Sequence, residues 1–131
     1  MSVRRAACHC GQLRLSCSGE ASRVSICHCL DCQRRTGSAF GVQARFRRED
    51  VSVEGRATAF TRAGDSGGRC TFHFCPACGS TLYWEPHGMP EFRVVAVGAF
   101  AHPAFALPSV SIYEERKHPW VALPDTITHE D

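Results

Sequence analysis

The chain has 131 residues, a formal net charge of +2, 44% hydrophobic residues and 21% charged residues. That balance is ordinary for a globular protein and too weakly basic to argue for a nucleic-acid or anionic-membrane partner. The length suits a single domain spanning 1–131 that buries roughly two-thirds of its unfolded surface, and no apolar run approaches the ~18 residues a membrane helix needs.

The N-terminal residues carry Arg4 and Arg5 with no apolar stretch behind them, so they do not read as a secretory leader. Residues 12–18 alternate, with Leu13, Leu15 and Cys17 on one face and Gln12, Arg14 and Ser16 on the other. That is the period of a half-buried strand. Residues 24–27 read as a strand, 30–36 as a short helical segment stopped by Gly37, and 39–46 as a strand with Phe40, Val42, Ala44 and Phe46 on one face. Residues 51–54 and 57–62 look like two short strands turning at Gly55, and 62–69, with Gly64, Asp65, Ser66, Gly67 and Gly68, like a loop. Strands are expected at 70–74 and 81–84, a loop at 86–90, a buried strand over the apolar run 92–100, and a last strand at 110–113. From residue 124 the chain turns polar and reads as frayed. No segment sustains a 3.6-residue apolar repeat, and the seven prolines punctuate the runs. The class is all-β, built of many short strands.

Seven of the nine cysteines fall in three tight groups: Cys8 and Cys10; Cys27, Cys29 and Cys32; Cys75 and Cys78. An odd count and the lack of a leader argue for a reduced, cytoplasmic chain, where clustered thiols bind metal rather than form disulfides. Tetrahedral zinc takes four such ligands in a structural site and three in an open one. Seven thiols divide into four plus three, so the chain reads as a two-zinc protein. In the CPxCG turn from Cys75 to Gly79, proline sets φ after the first ligand and glycine supplies a left-handed residue after the second. The turn is half of a four-ligand site. Its other half is either Cys29 with Cys32, as in a zinc ribbon, or Cys8 with Cys10, and spacing leaves both open.

Four stretches in order, CHCGQLRL (8–15), CHCLDCQRRTGSAF (27–40), FCPACGSTLYW (74–84) and YEERKHPWV (113–121), resemble the family of glutathione-dependent formaldehyde-activating enzymes, which includes the centromere protein V domain. VAVGAF (95–100) fits as well, and the resemblance runs over about 7–123. It implies a Mss4-like fold, with antiparallel sheets of short strands joined by zinc-binding loops. It implies a structural zinc on Cys8, Cys10, Cys75 and Cys78, and an open catalytic zinc on Cys27, Cys29 and Cys32. The activity implied is that of a zinc-dependent carbon–sulfur lyase, condensing a zinc-activated glutathione thiolate with formaldehyde to S-(hydroxymethyl)glutathione.

Arg34, Arg35 and Ser38 follow the open group directly and are candidates for holding glutathione's carboxylates, against the plainer reading of solvated surface residues. The stretch from Tyr113 to Trp120 is the expected second wall. His28 lies between two ligands and is expected to point away from the metal. Cys17 reads as a core thiol, and Cys70 as a core or loop thiol, with the alternative that it closes the open site. Trp84 and Trp120 read as core or pocket wall. Glu114 and Glu115 are paired carboxylates with no spacing that argues for acid–base work. The expected partner is a small-molecule thiol, with no nucleic acid and no membrane, for a monomer or homodimer. Two alternatives stand: the same site acting on another thiol or small electrophile, or a non-catalytic zinc-stapled binding module. The second wants a basic or proline-rich extension, and none flanks the motifs.

Overall fold

The computed structural model describes residues 2–64 and 67–130. A three-stranded sheet has the order β1-β2-β5, from β1 (Val3–Ala7), β2 (Arg14–Ser18) and β5 (Val51–Glu54). An eight-stranded sheet runs β11-β10-β3-β4-β9-β8-β7-β6. Its strands are β3 (Arg23–Cys27), β4 (Gly41–Arg47), β6 (Thr58–Ala63), β7 (Arg69–Phe74), β8 (Thr81–Pro86), β9 (Phe92–Ala96), β10 (Val110–Ile112) and β11 (Thr128–Glu130). The one α-helix among the described residues, α1 (Leu30–Thr36), lies between β3 and β4 and is capped at Gly37. Pairing is antiparallel except where β10 runs parallel to both β3 and β11.

The alternation read in residues 12–18 is the burial pattern observed. Leu13, Leu15 and Cys17 are fully buried and meet Ala44, Phe46, Leu82 and Val95 from the larger sheet in a shared apolar core. Phe46 packs on Phe100 there with ring centroids 6.3 Å apart.

Four elements differ from the sequence expectation, each for a long-range reason. Strand β1 has a single buried side chain, Ala6, so no alternation marks it; it forms by pairing with β2 from Val3↔Ser18 to Ala7↔Arg14. The two strands flanking Gly55 are not a hairpin, because β5 pairs with β2 and β6 pairs with β7. The apolar run 92–100 stops being strand at Ala96 and tightens into a 3₁₀ turn over Val97–Phe100, which carries Phe100 into the core. The polar tail is ordered as β11, whose side chains are exposed and which is held by backbone pairing with β10. The loop read at 62–69 joins β6 and β7, which pair antiparallel up to Ala63↔Arg69, and Gly64 N–H donates to Gly68 O at 2.7 Å; Asp65 and Ser66 lie outside the described residues.

Gly55 is where the chain leaves one sheet for the other. Its φ is +96°, and a Cβ there would lie 2.1 Å from the Gln12 carbonyl oxygen. Gly55→Ala therefore costs at least ~2 kcal/mol, from backbone strain and the clash together. Equilibrium urea unfolding reads this directly; a midpoint equal to wild type would show that the crossover does not need this backbone geometry.

Candidate metal centres

The first cluster is assembled from two turns far apart in sequence. Cys8 and Cys10 sit between β1 and β2; Cys75 and Cys78 sit between β7 and β8. Their four Sγ atoms lie within 4.8 Å of one another. The Cys8–Cys10 and Cys10–Cys75 separations are 3.6 and 3.7 Å. A tetrahedron with metal–sulfur bonds of about 2.3 Å has edges of about 3.8 Å, so these two separations match the edges a soft tetrahedral cation needs. Gly79, with φ +82°, makes the turn after the second cysteine, and Gly79 N–H bonds Cys75 O at 2.8 Å.

Hydrogen-bond donors surround this cluster, as thiolates require. Leu13 N–H donates to Cys8 Sγ at 3.3 Å, and Gln12 Nε2 donates to Cys75 Sγ at 3.0 Å. Gln12 also exchanges bonds with the Arg56 backbone, 2.7 Å to its carbonyl and 2.9 Å from its N–H, so one side chain ties the Gly55 crossover to the cluster. The sequence pattern had placed Gln12 on the solvent face of a strand; it belongs instead to the turn before β2. His9 N–H donates to Ser80 Oγ at 3.1 Å, joining the two turns. The Ser80 hydroxyl, with backbone N–H groups of Ser80 and Cys10, draws the Cys78 thiol down to about 5. The thiolate is the form a metal takes.

The second cluster is local. Cys27 ends β3, Cys29 is the N-cap of α1, and Cys32 lies in the helix's first turn. The three Sγ atoms lie within 4.8 Å of one another, with Cys27 and Cys29 3.3 Å apart. Cys29 Sγ accepts Cys32 N–H at 3.3 Å. That bond and the neighbouring thiols of Cys27 and Cys32 hold the Cys29 thiol well below its usual range; the thiol hydrogen bonds are the larger cause. No fourth Cys, His, Asp or Glu among the described residues joins this group. Cys70, on β7, stays outside both clusters, and burial raises its thiol to about 11.

Around the three thiols the chain is braced from behind. His28 is fully buried, and its Nε2 meets Ser111 Oγ on β10 at 2.9 Å. Burial lowers its pKa and favours the neutral ring. Gln33 is a brace that residue type alone did not reveal. Its Nε2 donates to His28 O at 2.9 Å and Arg116 O at 3.0 Å, and its Oε1 meets His118 Nε2 at 2.8 Å. The stretch expected as a second wall therefore packs on α1 through Gln33. Trp84 is buried, whereas Trp120 is 71% exposed. Glu114 is paired with His129 on β11, which together with Ser111 keeps its carboxyl below the usual range.

The open side of α1 faces β6, β7 and β8. A cavity of about 270 Å³ is lined there by Arg34, Arg35, Arg62 and the rings of Phe60, Phe72 and Phe74. A second, of about 480 Å³, is lined by Arg35 and Thr36 of α1, by Gly41, and by Cys78 and Ser80 at the four-cysteine cluster. Arg35 borders both, with its guanidinium 4.1 Å over the Trp84 ring. Ser38 is exposed beyond the helix cap, its N–H on Thr36 Oγ1 at 3.1 Å, and lines neither cavity.

No helix among the described residues is long and apolar enough to cross a membrane. The fold is shared with a crystal structure of a Rhodobacter sphaeroides protein at a TM-score of 0.57 and 23% identity, covering 72% of this chain and 85% of that one. The architecture is the all-β, Mss4-like one. Among curated proteins none is significantly similar to this chain. The family model described as glutathione-dependent formaldehyde-activating enzyme matches residues 3–116, which takes in both cysteine clusters and the strands that carry them. This chain belongs to the family of glutathione-dependent formaldehyde-activating enzymes.

Proposed function

We propose that this protein is a zinc-dependent carbon–sulfur lyase that joins glutathione to formaldehyde, with Cys27, Cys29 and Cys32 as its catalytic group. The observation that carries the reading is the contrast between the two clusters. One has four converging thiols drawn from two turns far apart in sequence; the other has three, at the start of a helix that borders two cavities. Cys8, Cys10, Cys75 and Cys78 then hold the structural zinc. When bound by the three-cysteine group, zinc supplies a Lewis acid that favours the thiolate form of a substrate thiol near neutral pH.

The chain's own residues do the rest. Cys29 caps α1 and so fixes Cys32 relative to Cys27. Gln33 and His28 hold that arrangement against β10 and the segment after it. Arg35, beside Cys32, offsets the negative charge that three thiolates bring. Arg34, Arg35 and, in the exposed turn that follows, Ser38 are the side chains assigned to the substrate's carboxylates. In the reaction the glutathione sulfur forms a bond to the formaldehyde carbon. The carbonyl π pair moves to oxygen, which takes up a proton to give S-(hydroxymethyl)glutathione. The protein works in the cytoplasm as a single-domain monomer or homodimer, without nucleic acid or membrane.

The test is the rate at which free formaldehyde disappears with glutathione, measured by stopped flow against the uncatalysed addition. Zinc-loaded protein accelerates it, and removal of the labile zinc abolishes the acceleration. A rate equal to the uncatalysed one at every protein concentration would sink the lyase reading. Arg34→Ala or Arg35→Ala weakens glutathione by roughly 1–3 kcal/mol, the loss of a charge-assisted hydrogen bond, and appears as a rise in KM. An unchanged KM in both variants would remove these arginines from the substrate.

A further inference from the structure

Helix α1 carries Cys29 at its N-cap and Cys32 in its first turn, yet no apolar packing holds it down. It has seven residues and buries none of them, and its one large apolar side chain, Leu30, is exposed. A helix that short has little stability of its own, so its tertiary ties set where it points. Those ties are polar. Gln33 holds the back of the helix to His28 O, Arg116 O and His118. Arg35 lies over the Trp84 ring. The first turn, where the sulfurs are, is tied by Asp31: its carboxylate, between Cys29 and Cys32 in the chain, pairs with Arg62 on β6.

Both partners are committed to that contact. Arg62 is the one residue of β6 that is not exposed. The Asp31 and Arg62 side chains are 16% and 29% exposed, and neither has a second charged partner among the described residues. Arg62 Nε is buried with no hydrogen-bond partner there, a cost that the Asp31 contact offsets. The chain just past β6 abuts the same carboxylate, since a Cβ on Gly64 would lie 3.7 Å from Asp31 Oδ2. After the thiols of Cys27 and Cys32, the backbone N–H groups of Cys32 and Asp31 favour the Cys29 thiolate. Asp31 thus meets the cluster through its backbone and β6 through its side chain.

We propose that Asp31 and Arg62 are a positioning pair for the three-cysteine site: their ion pair fixes the first turn of α1 against β6, and with it the placement of Cys29 and Cys32 relative to Cys27. The proposal rests on the reading of those cysteines as a metal site. Cys27 ends β3, and β3 and β6 belong to the same eight-stranded sheet, so a tie from α1 to β6 sets all three sulfurs in one frame. An ion pair of this exposure adds little to overall stability, so its loss shows at the site before it shows in the fold. Arg62, which no cysteine motif points to, acts through Asp31 and the cysteines beside it.

The test compares wild type with Arg62→Gln, Asp31→Asn, the double variant and Arg62→Lys. Zinc affinity of the weaker site is measured by competition with a chromophoric chelator, the arrangement of the sulfurs by the visible absorption of bound Co²⁺, and the fold by thermal melts. Each neutral single variant binds zinc about tenfold or more weakly and alters the Co²⁺ bands, and the double variant is no worse than either. All of them melt within about 5 °C of wild type. Arg62→Lys, which keeps a cation for a contact made by one nitrogen, recovers most of the affinity. Asp31 and Arg62 carry opposite charges, so a plain field effect on the site would move the two single variants in opposite directions. Opposite shifts would therefore overturn the pair, as would affinities and spectra unchanged in both. A fall of about 15 °C or more in both would make the contact a staple of the fold and overturn it too. If wild type itself holds only one metal ion, the metal reading of the three cysteines falls, and this proposal with it.

Discussion

Replacing Cys75 by Ser leaves most of the chain unfolded or aggregated at ambient temperature. Cys75 is fully buried, accepts a bond from Gln12 Nε2, and lies 3.7 Å from Cys10 across 65 positions of sequence. A cross-link over a loop of that length removes several kcal/mol of freedom from the unfolded chain. A structural zinc contributes roughly 10 kcal/mol or more of apparent binding energy, against the ~5–15 kcal/mol that a whole domain is stable by. Serine keeps the shape but is a poor zinc ligand, and it also strips the Gln12 amide of its thiolate acceptor. Circular dichroism melts, with a chromophoric chelator counting metal, give the readout. The cooperative transition is lost or falls by at least about 15 °C, as loss of ~5 kcal/mol requires for a chain of this size. A variant that melts like wild type with one metal fewer would mean that the four-thiol cluster does not staple the fold.

Replacing Cys29 by Ser has the opposite profile: the fold stands and the activity goes. The three thiols span residues 27–32, so a metal there closes no long loop and restricts the unfolded chain little. Serine is among the best N-caps, so α1 keeps its first turn when the Cys29 sulfur, which accepts Cys32 N–H, becomes a hydroxyl. What is lost is one of three sulfur ligands, and with it the site's hold on metal. Thiol-dependent turnover falls by about a hundredfold or more, while the melting temperature stays within about 5 °C of wild type. Metal analysis finds one tight ion per chain rather than two. If Cys29→Ser unfolds as Cys75→Ser does, the three-cysteine group is structural and the lyase reading loses its centre.

The cysteine groups were legible in the sequence because their chemistry is local. Two thiols two or three residues apart converge through one turn, and Pro76 and Gly79 specify that turn without help from the rest of the chain. The same holds for α1, bounded by Cys29 and Gly37, and for the buried face of Leu13, Leu15 and Cys17, where a period of two declares itself within seven residues. Which half-sites meet is not local. Spacing alone allowed Cys29 and Cys32 to join Cys75 and Cys78; the pairings of β1 with β2 and of β7 with β8 close the two turns, and the shared core between the two sheets sets the Cys8–Cys10 turn against the Cys75–Cys78 turn instead. The braces were hidden for the same reason. Gln12 and Gln33 are ordinary polar residues until the Gly55 crossover and the segment through Arg116 and His118 are set beside them. Strand β11 is polar on every side chain, and only the exposed backbone of β10 makes it a strand. Arg62 comes to Asp31 and Arg35 only because β6 pairs with β7, leaving β5 to the other sheet. Side-chain chemistry and short periodicities could be read from the sequence itself. Partner choice between distant segments could not, because it depends on which pairing buries the common core and satisfies the backbone, and that free energy belongs to the assembled chain.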